Sequence, residues 1–165
     1  MIENAYVGLG SNLGDRAGYL LLGLRGMLNA GLDVIRLSNI YETEPVEYEN
    51  QPAFLNMVAE LRGSMLPSPE QMLARLLRIE YALGRKRDVP MGPRTIDLDL
   101  LIFQDQRVNT EFLTVPHPRL HCRRFVLVPL NELVPNLVHP VLQKPVRELL
   151  SQTKDRSMVT RWKPL

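Results

Sequence analysis

Residues 5–10, AYVGLG, read as a short strand that runs into a glycine- and asparagine-bearing turn, GSNLG. From Asp15 to Asn29 the apolar positions Leu20, Leu21, Leu24, Met27 and Leu28 recur at helical spacing. Gly18, Gly23 and Gly26 weaken that helix, so packing must hold it, and Gly31 is the expected stop. Residues 32–42 predict a strand. Residues 54–62, FLNMVAELR, alternate: Leu55, Met57, Ala59 and Leu61 share one face, Phe54, Asn56, Val58 and Glu60 the other. The next helix carries the fullest set of signals. Ser68 is its N-cap, Pro69 its first residue, Gln71 completes a capping box, and Gly84 ends it. A basic loop, RKRDVPMGPR (85–94), leads into a strand at 96–103. Residues 108–133 then predict an extended piece, a proline-rich loop and a helix.

The order β-α-β-β-α-β, with only a tail left over, predicts an α+β fold. Its expected form is a ferredoxin-like βαββαβ sandwich, with helices packed on one face of an antiparallel sheet and a C-terminal extension. A chain of 165 residues fits one domain, 1–165, and no repeat or linker divides it. Such a fold hosts enzymes, regulatory modules and RNA-binding domains alike, so function has to come from the sites.

The strand at 96–103 is the oddity, because it carries two aspartates in an otherwise apolar run. Carboxylates are costly to bury, and strands do not favour aspartate. Period 2 puts Ile96, Leu98, Leu100 and Ile102 on one face and Asp97, Asp99, Leu101 and Phe103 on the other. The first set is a sufficient core stripe, so the aspartates stand on the opposite face with Cα atoms about 6–7 Å apart. Either that face is exposed and the acids are incidental, or a cation lies between them. Arg85, Lys86, Arg87 and Arg94 lie within the adjoining loop. Mg²⁺ takes one or two protein carboxylates and completes its shell with water and phosphate oxygens, while arginine forks suit the phosphates. The combination fits magnesium and a polyphosphate.

Charge and composition narrow the partners. A formal net charge of +2 argues for neither nucleic acid nor a membrane surface. Cys122 is the single cysteine, which excludes an intrachain disulfide and suits a reducing compartment. The N-terminal residues lack the basic start and apolar core of a signal peptide, and no apolar run approaches the roughly 20 residues of a membrane span. A cytoplasmic, monomeric protein is expected.

Other phosphate devices are missing. Gly8, Gly10 and Gly14 miss the dinucleotide G-x-G-x-x-G spacing by one residue, and there is no P-loop motif. A tight strand-to-helix turn is the expected reason for these glycines. Glu80 falls inside the apolar stripe of the second helix, so it either pairs with an arginine or lines a site at the stripe's edge. Phe54 and Asn56 face the same side as the two aspartates. A phenylalanine stacks on a flat heterocycle, and an amide offers a donor and an acceptor to its edge. His117, in the loop VPHPR, is either a phosphate- or metal-proximal group or a loop-stabilising one, and no histidine spacing resembles a zinc site.

Together these stretches resemble the 6-hydroxymethyl-7,8-dihydropterin pyrophosphokinase family of folate biosynthesis. The matching segments are GLGSNLGDR at 8–16, YETEPV at 41–46, QPAFLNMV at 51–58, RIEYALGR at 78–85, GPRTIDLDLLIF at 92–103 and LTVPHPRLHCRRFVLVPL at 113–130. The resemblance implies transfer of the terminal diphosphate of ATP to the hydroxymethyl group of the dihydropterin, with release of AMP. It implies that Asp97 and Asp99 hold two Mg²⁺ ions, and that Arg85 and Arg94 are the catalytic arginines. Thr43, Pro45, Val46 and Asn56 would meet the pterin's polar edge, with Phe54 and Phe125 stacking on its two faces. Glu80, Arg87, Arg94, Ile96, Thr114, His117 and Arg123 would lie around the nucleotide. Many members carry tryptophan directly before GPR; Met91 stands there in this chain. Loops at 44–50 and 85–91 are expected to close over the substrates. The rival readings are a ligand-binding module without catalysis, a metal-dependent nucleotide hydrolase, and an RNA-binding domain. Two aspartates on the binding face argue against the last.

Overall fold

The alternation at residues 54–62 and the AYVGLG run become the two central strands of the sheet. The computed structural model describes residues 1–85 and 90–164. In chain order the elements are β1 (Glu3–Ser11), α1 (Arg16–Asn29), β2 (Val34–Leu37), β3 (Tyr41–Thr43), β4 (Phe54–Gly63), α2 (Pro69–Ala82), β5 (Asp97–Phe103), β6 (Val108–Asn109) and β7 (Thr114–Val115). A short 3₁₀ turn, Leu120–Cys122, then leads to α3 (Arg124–Leu133), α4 (Val146–Gln152) and β8 (Val159–Arg161). The main sheet runs β5-β1-β4-β3-β8, with β2 also on β4, and all these pairings are antiparallel.

The capping box forms as expected, with Ser68 Oγ accepting from the Gln71 N–H and Gln71 Oε1 from the Ser68 N–H. Gly31 and Gly84, each at φ 79°, follow the ends of α1 and α2. The glycine-weakened α1 is held by packing. A Cβ on Gly26 would lie 2.7 Å from Ile79 Cγ2, so only glycine lets α1 approach α2 so closely. Leu20, Leu24 and Met27 of α1 and Met72, Leu76 and Ile79 of α2 pack against Ala5, Val7, Leu9, Leu55, Met57, Ala59 and Leu61. Each fully buried aliphatic side chain of this kind contributes about 1.5–3 kcal/mol.

Three expectations change. The strand predicted over 32–42 divides at Ser38, whose N–H donates to Val58 O while its Oγ accepts from Val58 N, a side chain taking over one rung of the ladder. The helices do not keep to one face. α3 and α4 pack on the other side of the sheet against Tyr6, Val58, Leu101 and Ile102. A bulge in β5 decides which residues meet them: Tyr6 pairs with Ile102 and Val7 with Leu100, so that Leu101 is an extra residue. The bulge swaps Ile102 into the second core and Phe103 into the first, against strict alternation. The tail, finally, is built into the sheet: β8 pairs with β3, Thr43 opposite Val159.

Candidate active site

The part of the second sheet face that α3 and α4 leave uncovered carries Gly8, Gly10, Phe54, Asn56, Asp97 and Asp99. Gly8 and Gly10 are strand residues rather than turn residues, and Gly10 has a specific task. It pairs with Asn56, and a Cβ there would sit 2.5 Å from Asn56 Oδ1. The missing side chain lets the Asn56 amide lie across β1 while its Nδ2 donates to Thr43 Oγ1 at 2.7 Å. Gly10→Ala is therefore expected to push the amide aside. Affinity for a ligand edge bound there should fall about tenfold with little loss of stability, read by titration beside urea unfolding.

Phe54 and Phe125 line one cleft of about 470 Å³, partly open to solvent, together with Thr43, Pro45, Val46, Asn56, Met91, Arg94, Asp97 and Arg123. A guanidinium backs each ring: Arg94 lies 5.1 Å from the Phe54 centroid and Arg123 5.5 Å from that of Phe125. The cleft thus has two aromatic side chains, a donor–acceptor edge and two largely buried arginines in its lining.

Asp97 is engaged from two sides. Arg85 Nη1 donates to its Oδ1 and Arg94 Nη1 approaches its Oδ2 at 3.5 Å. Arg85 is held in turn by Glu80, whose Oε2 accepts from Arg85 Nη1 and from the Leu98 N–H, each at 2.7 Å. Glu80 is therefore the buried partner of an arginine, and it ties that arginine to β5. Although burial works against the charge, Asp97 and Glu80 raise the pKa of Arg85. Asp99 is pushed the other way for a carboxylate, up to about 8, first by burial and then by the charges of Asp97 and Glu80. A cation at the pair would relieve this conflict. Among the described residues no group of three or more His, Cys, Asp or Glu converges, so protein would supply two carboxylates and the remaining ligands would come from water and phosphate. The buried Nε atoms of Arg85, Arg94 and Arg123 have no hydrogen-bond partner among the described residues, which suits three guanidiniums built to receive anionic oxygen.

The remaining sites divide. His117 donates its backbone N–H to the bulged Leu101 carbonyl at 2.8 Å and accepts at Nδ1 from Arg119 N at 3.1 Å. Burial and the nearby Arg123 lower its pKa to about 4, so it is neutral at physiological pH. Arg123 and Arg119 both hold Glu47, at 2.7 and 2.5 Å. Partial burial notwithstanding, these two cations keep the Glu47 carboxyl below its ordinary value. Ile96, expected beside the nucleotide, has its side chain wholly in the first core. Any contact there falls to its backbone. Thr114 sits in the β6–β7 hairpin, outside the cleft lining. Arg87 lies outside the described residues.

The family described as 7,8-dihydro-6-hydroxymethylpterin-pyrophosphokinase (HPPK) matches residues 6–135. The chain belongs to the HPPK family. A 2-amino-4-hydroxy-6-hydroxymethyldihydropteridine pyrophosphokinase of Aquifex aeolicus is 41% identical over 147 residues, 89% of this chain and 90% of its own. One of Bacillus subtilis is 43% identical over 160 residues, 96% of this chain and 90% of its own. Wild-type HPPK-DHPS of Plasmodium falciparum, solved with pteroate, matches the fold with a TM-score of 0.72 at 19% identity, over 92% of this chain and 42% of that one. This chain spans less than half of that HPPK-DHPS protein.

In this HPPK chain two amides not singled out from sequence knit the loops around the cleft. Asn12 donates from Nδ2 to Gln51 Oε1 at 2.9 Å and to Pro52 O at 3.0 Å, and accepts at Oδ1 from Arg94 N at 2.9 Å. Gln51 Nε2 donates to Tyr48 O at 2.7 Å and to Met91 O at 3.0 Å. Met91, at φ 60°, is held in the left-handed region with its carbonyl also accepting from Arg94 Nη2 at 3.2 Å. Both amides lie in quoted segments, GSN and QP, and their only sequence signal is an amide in a loop beside a site strand.

Proposed function

We propose that this protein transfers the diphosphate group of ATP to the hydroxymethyl group of 6-hydroxymethyl-7,8-dihydropterin, giving the pterin diphosphate and AMP. One observation carries the reading. Two phenylalanines and an amide–hydroxyl edge line a cleft shared with Asp97, Arg94 and Arg123, Arg85 reaches Asp97 from behind, and the buried Nε atoms of the three arginines have no partner among the described residues. Flat heterocycle and triphosphate recognition therefore meet in one cleft. The strand order β5-β1-β4 followed by β2 and β3 also supports a ferredoxin-like core. Among the described residues no helix is long and apolar enough to cross a membrane, which accords with action in the cytoplasm. A single copy already carries both halves of the cleft, which accords with a monomer.

Asn56 and Thr43 read the polar edge of the pterin while Phe54 and Phe125 hold its ring. The hydroxymethyl oxygen then bonds to the β-phosphorus and gives up its proton to solvent as the bridge to the α-phosphate breaks, and AMP departs with the bridging oxygen. Such a transfer needs alignment and charge neutralisation more than covalent help. Asp97 and Asp99 would hold Mg²⁺, two ions in our reading, which supplies charge neutralisation on the triphosphate when bound. Arg85, held by Glu80, would be the guanidinium to turn from Asp97 toward a phosphate oxygen when a cation occupies the carboxylates. Arg94 and Arg123 supply further positive charge. His117, with a pKa near 4, is too weak a base to take the hydroxyl proton. The Glu47 carboxylate occupies Arg119 and Arg123 and must yield them to the nucleotide.

Product analysis with ATP, Mg²⁺ and the dihydropterin tests the reading. AMP formed only with the pterin present is expected. ADP as product, or AMP formed equally fast without pterin, would instead mark a nucleotide hydrolase, and uptake of both substrates without turnover would mark a binding module.

A further inference from the structure

The family match ends at residue 135, yet residues 155–159 bond to two segments that line the cleft, 123–125 and 43–45. On one side Asp155 Oδ2 accepts from the Arg124 N–H at 2.8 Å, and Arg124 Nε donates to Ser157 O at 3.2 Å. Arg124 is the first residue of α3, and Arg123 before it offers no side-chain cap, so Asp155 satisfies an N-terminal amide of that helix from 31 residues away. Its other oxygen accepts from Ser157 N at 2.8 Å, which folds the segment onto itself. On the far side the Met158 N–H donates to Glu44 Oε1 at 2.6 Å, the Glu44 N–H donates to Met158 O at 3.3 Å, and Val159 pairs with Thr43. Arg124 lies between Arg123 and Phe125, and Glu44 between Thr43 and Pro45; all four flanking residues line the cleft.

We propose that residues 155–158 are a clamp that sets the spacing between the Arg123–Phe125 segment and the Thr43–Pro45 edge of the cleft, with Asp155 as a positioning residue for the flat heterocycle that stacks on Phe125. The proposal rests on the pterin reading of the cleft. Val126, Leu127 and Leu130 anchor the rest of α3 in the second core independently of Asp155, so loss of its carboxylate frees the first turn and leaves the fold in place.

The test is titration of the full chain with 6-hydroxymethyl-7,8-dihydropterin in the presence of α,β-methylene-ATP, whose carbon bridge blocks transfer. Titration with the nucleotide analogue alone and urea unfolding accompany it. Asp155→Ala is expected to weaken pterin binding about tenfold, to raise the pterin KM by a similar factor while kcat stays within about twofold, and to change nucleotide affinity less than threefold. Asp155→Asn, which keeps one oxygen for the Arg124 N–H but loses the second acceptor used by Ser157 N, is expected to recover part of the loss. A lower urea midpoint with unchanged pterin affinity would make Asp155 purely structural and overturn the clamp, as would equal weakening of both ligands or an asparagine variant as impaired as alanine. Failure of the unaltered chain to take up the dihydropterin would overturn the cleft reading instead.

Discussion

Asp99→Asn is expected to lower diphosphate transfer at least a hundredfold while making the protein, without magnesium, more stable at pH 8.5. The two effects share one cause. The Asp99 carboxyl titrates near 8 because burial, Asp97 and Glu80 all disfavour its charge. For an acid whose folded pKa is raised, the folded state holds the proton longer than the unfolded chain. Below about pH 4 both states are protonated and nothing is lost. Stability then falls as pH rises through the window to about 8, and above it the full penalty applies. An amide removes the penalty, which for a partly exposed group is on the order of 2 kcal/mol and raises Tm by about 4–8 °C. The advantage of Asp99→Asn should shrink toward zero at pH 4. Urea melts in a chelator at both pH values measure it. Equal stability at pH 8.5, or activity within threefold of the original, would show that Asp99 is neither strained nor a metal ligand. Mutagenic loss of one preorganised electrostatic group costs about 10²–10³ in rate, which sets the expected scale.

Where a signal was local, sequence was enough to read it. The capping box at Ser68 and Gln71, the glycines that end α1 and α2, and the face alternation of β4 each depend on a few neighbouring residues. The aspartate pair was readable for the same reason, since Asp97 and Asp99 precede the bulge and strict alternation holds up to that point. Past Leu101 it fails silently. Ile102 and Phe103 are both apolar, so either register satisfies a core, and nothing in the pattern marks the swap. Ser38 breaks β2 from β3 by a hydroxyl rung that depends on Val58, twenty residues on. Asn12 and Gln51 join three loops that meet only in the folded chain. Asp155 caps a helix it is remote from. Each of these escaped because its partner is distant in sequence, and the unread features of the site are its non-local ones.

Arg85→Ala is expected to reduce the rate constant of transfer about 10²–10³-fold while changing pterin affinity less than threefold. Arg85 is not among the residues that line the cleft with the two phenylalanines; it sits behind Asp97, joined to Glu80, and among the described residues its Nε has no partner. Its charge therefore bears on the triphosphate side and its loss should appear in kcat rather than in the pterin dissociation constant. Arg85→Lys separates charge from geometry. Lysine restores a cation that can replace Nη1 against Glu80 and Asp97, but it lacks the Nη2 and Nε donors with which a guanidinium forks a phosphate, so only part of the rate should return. Folding should suffer modestly, by about 1–3 kcal/mol, because Glu80 keeps the Leu98 N–H when the guanidinium goes. Rapid-quench measurement of a single turnover, with pterin binding titrated separately, distinguishes the possibilities. A large loss of pterin affinity at unchanged rate would move Arg85 from the phosphate side to the pterin side. Full activity in the lysine variant would mean that a point charge suffices and that the Glu80–Arg85–Asp97 arrangement serves stability alone.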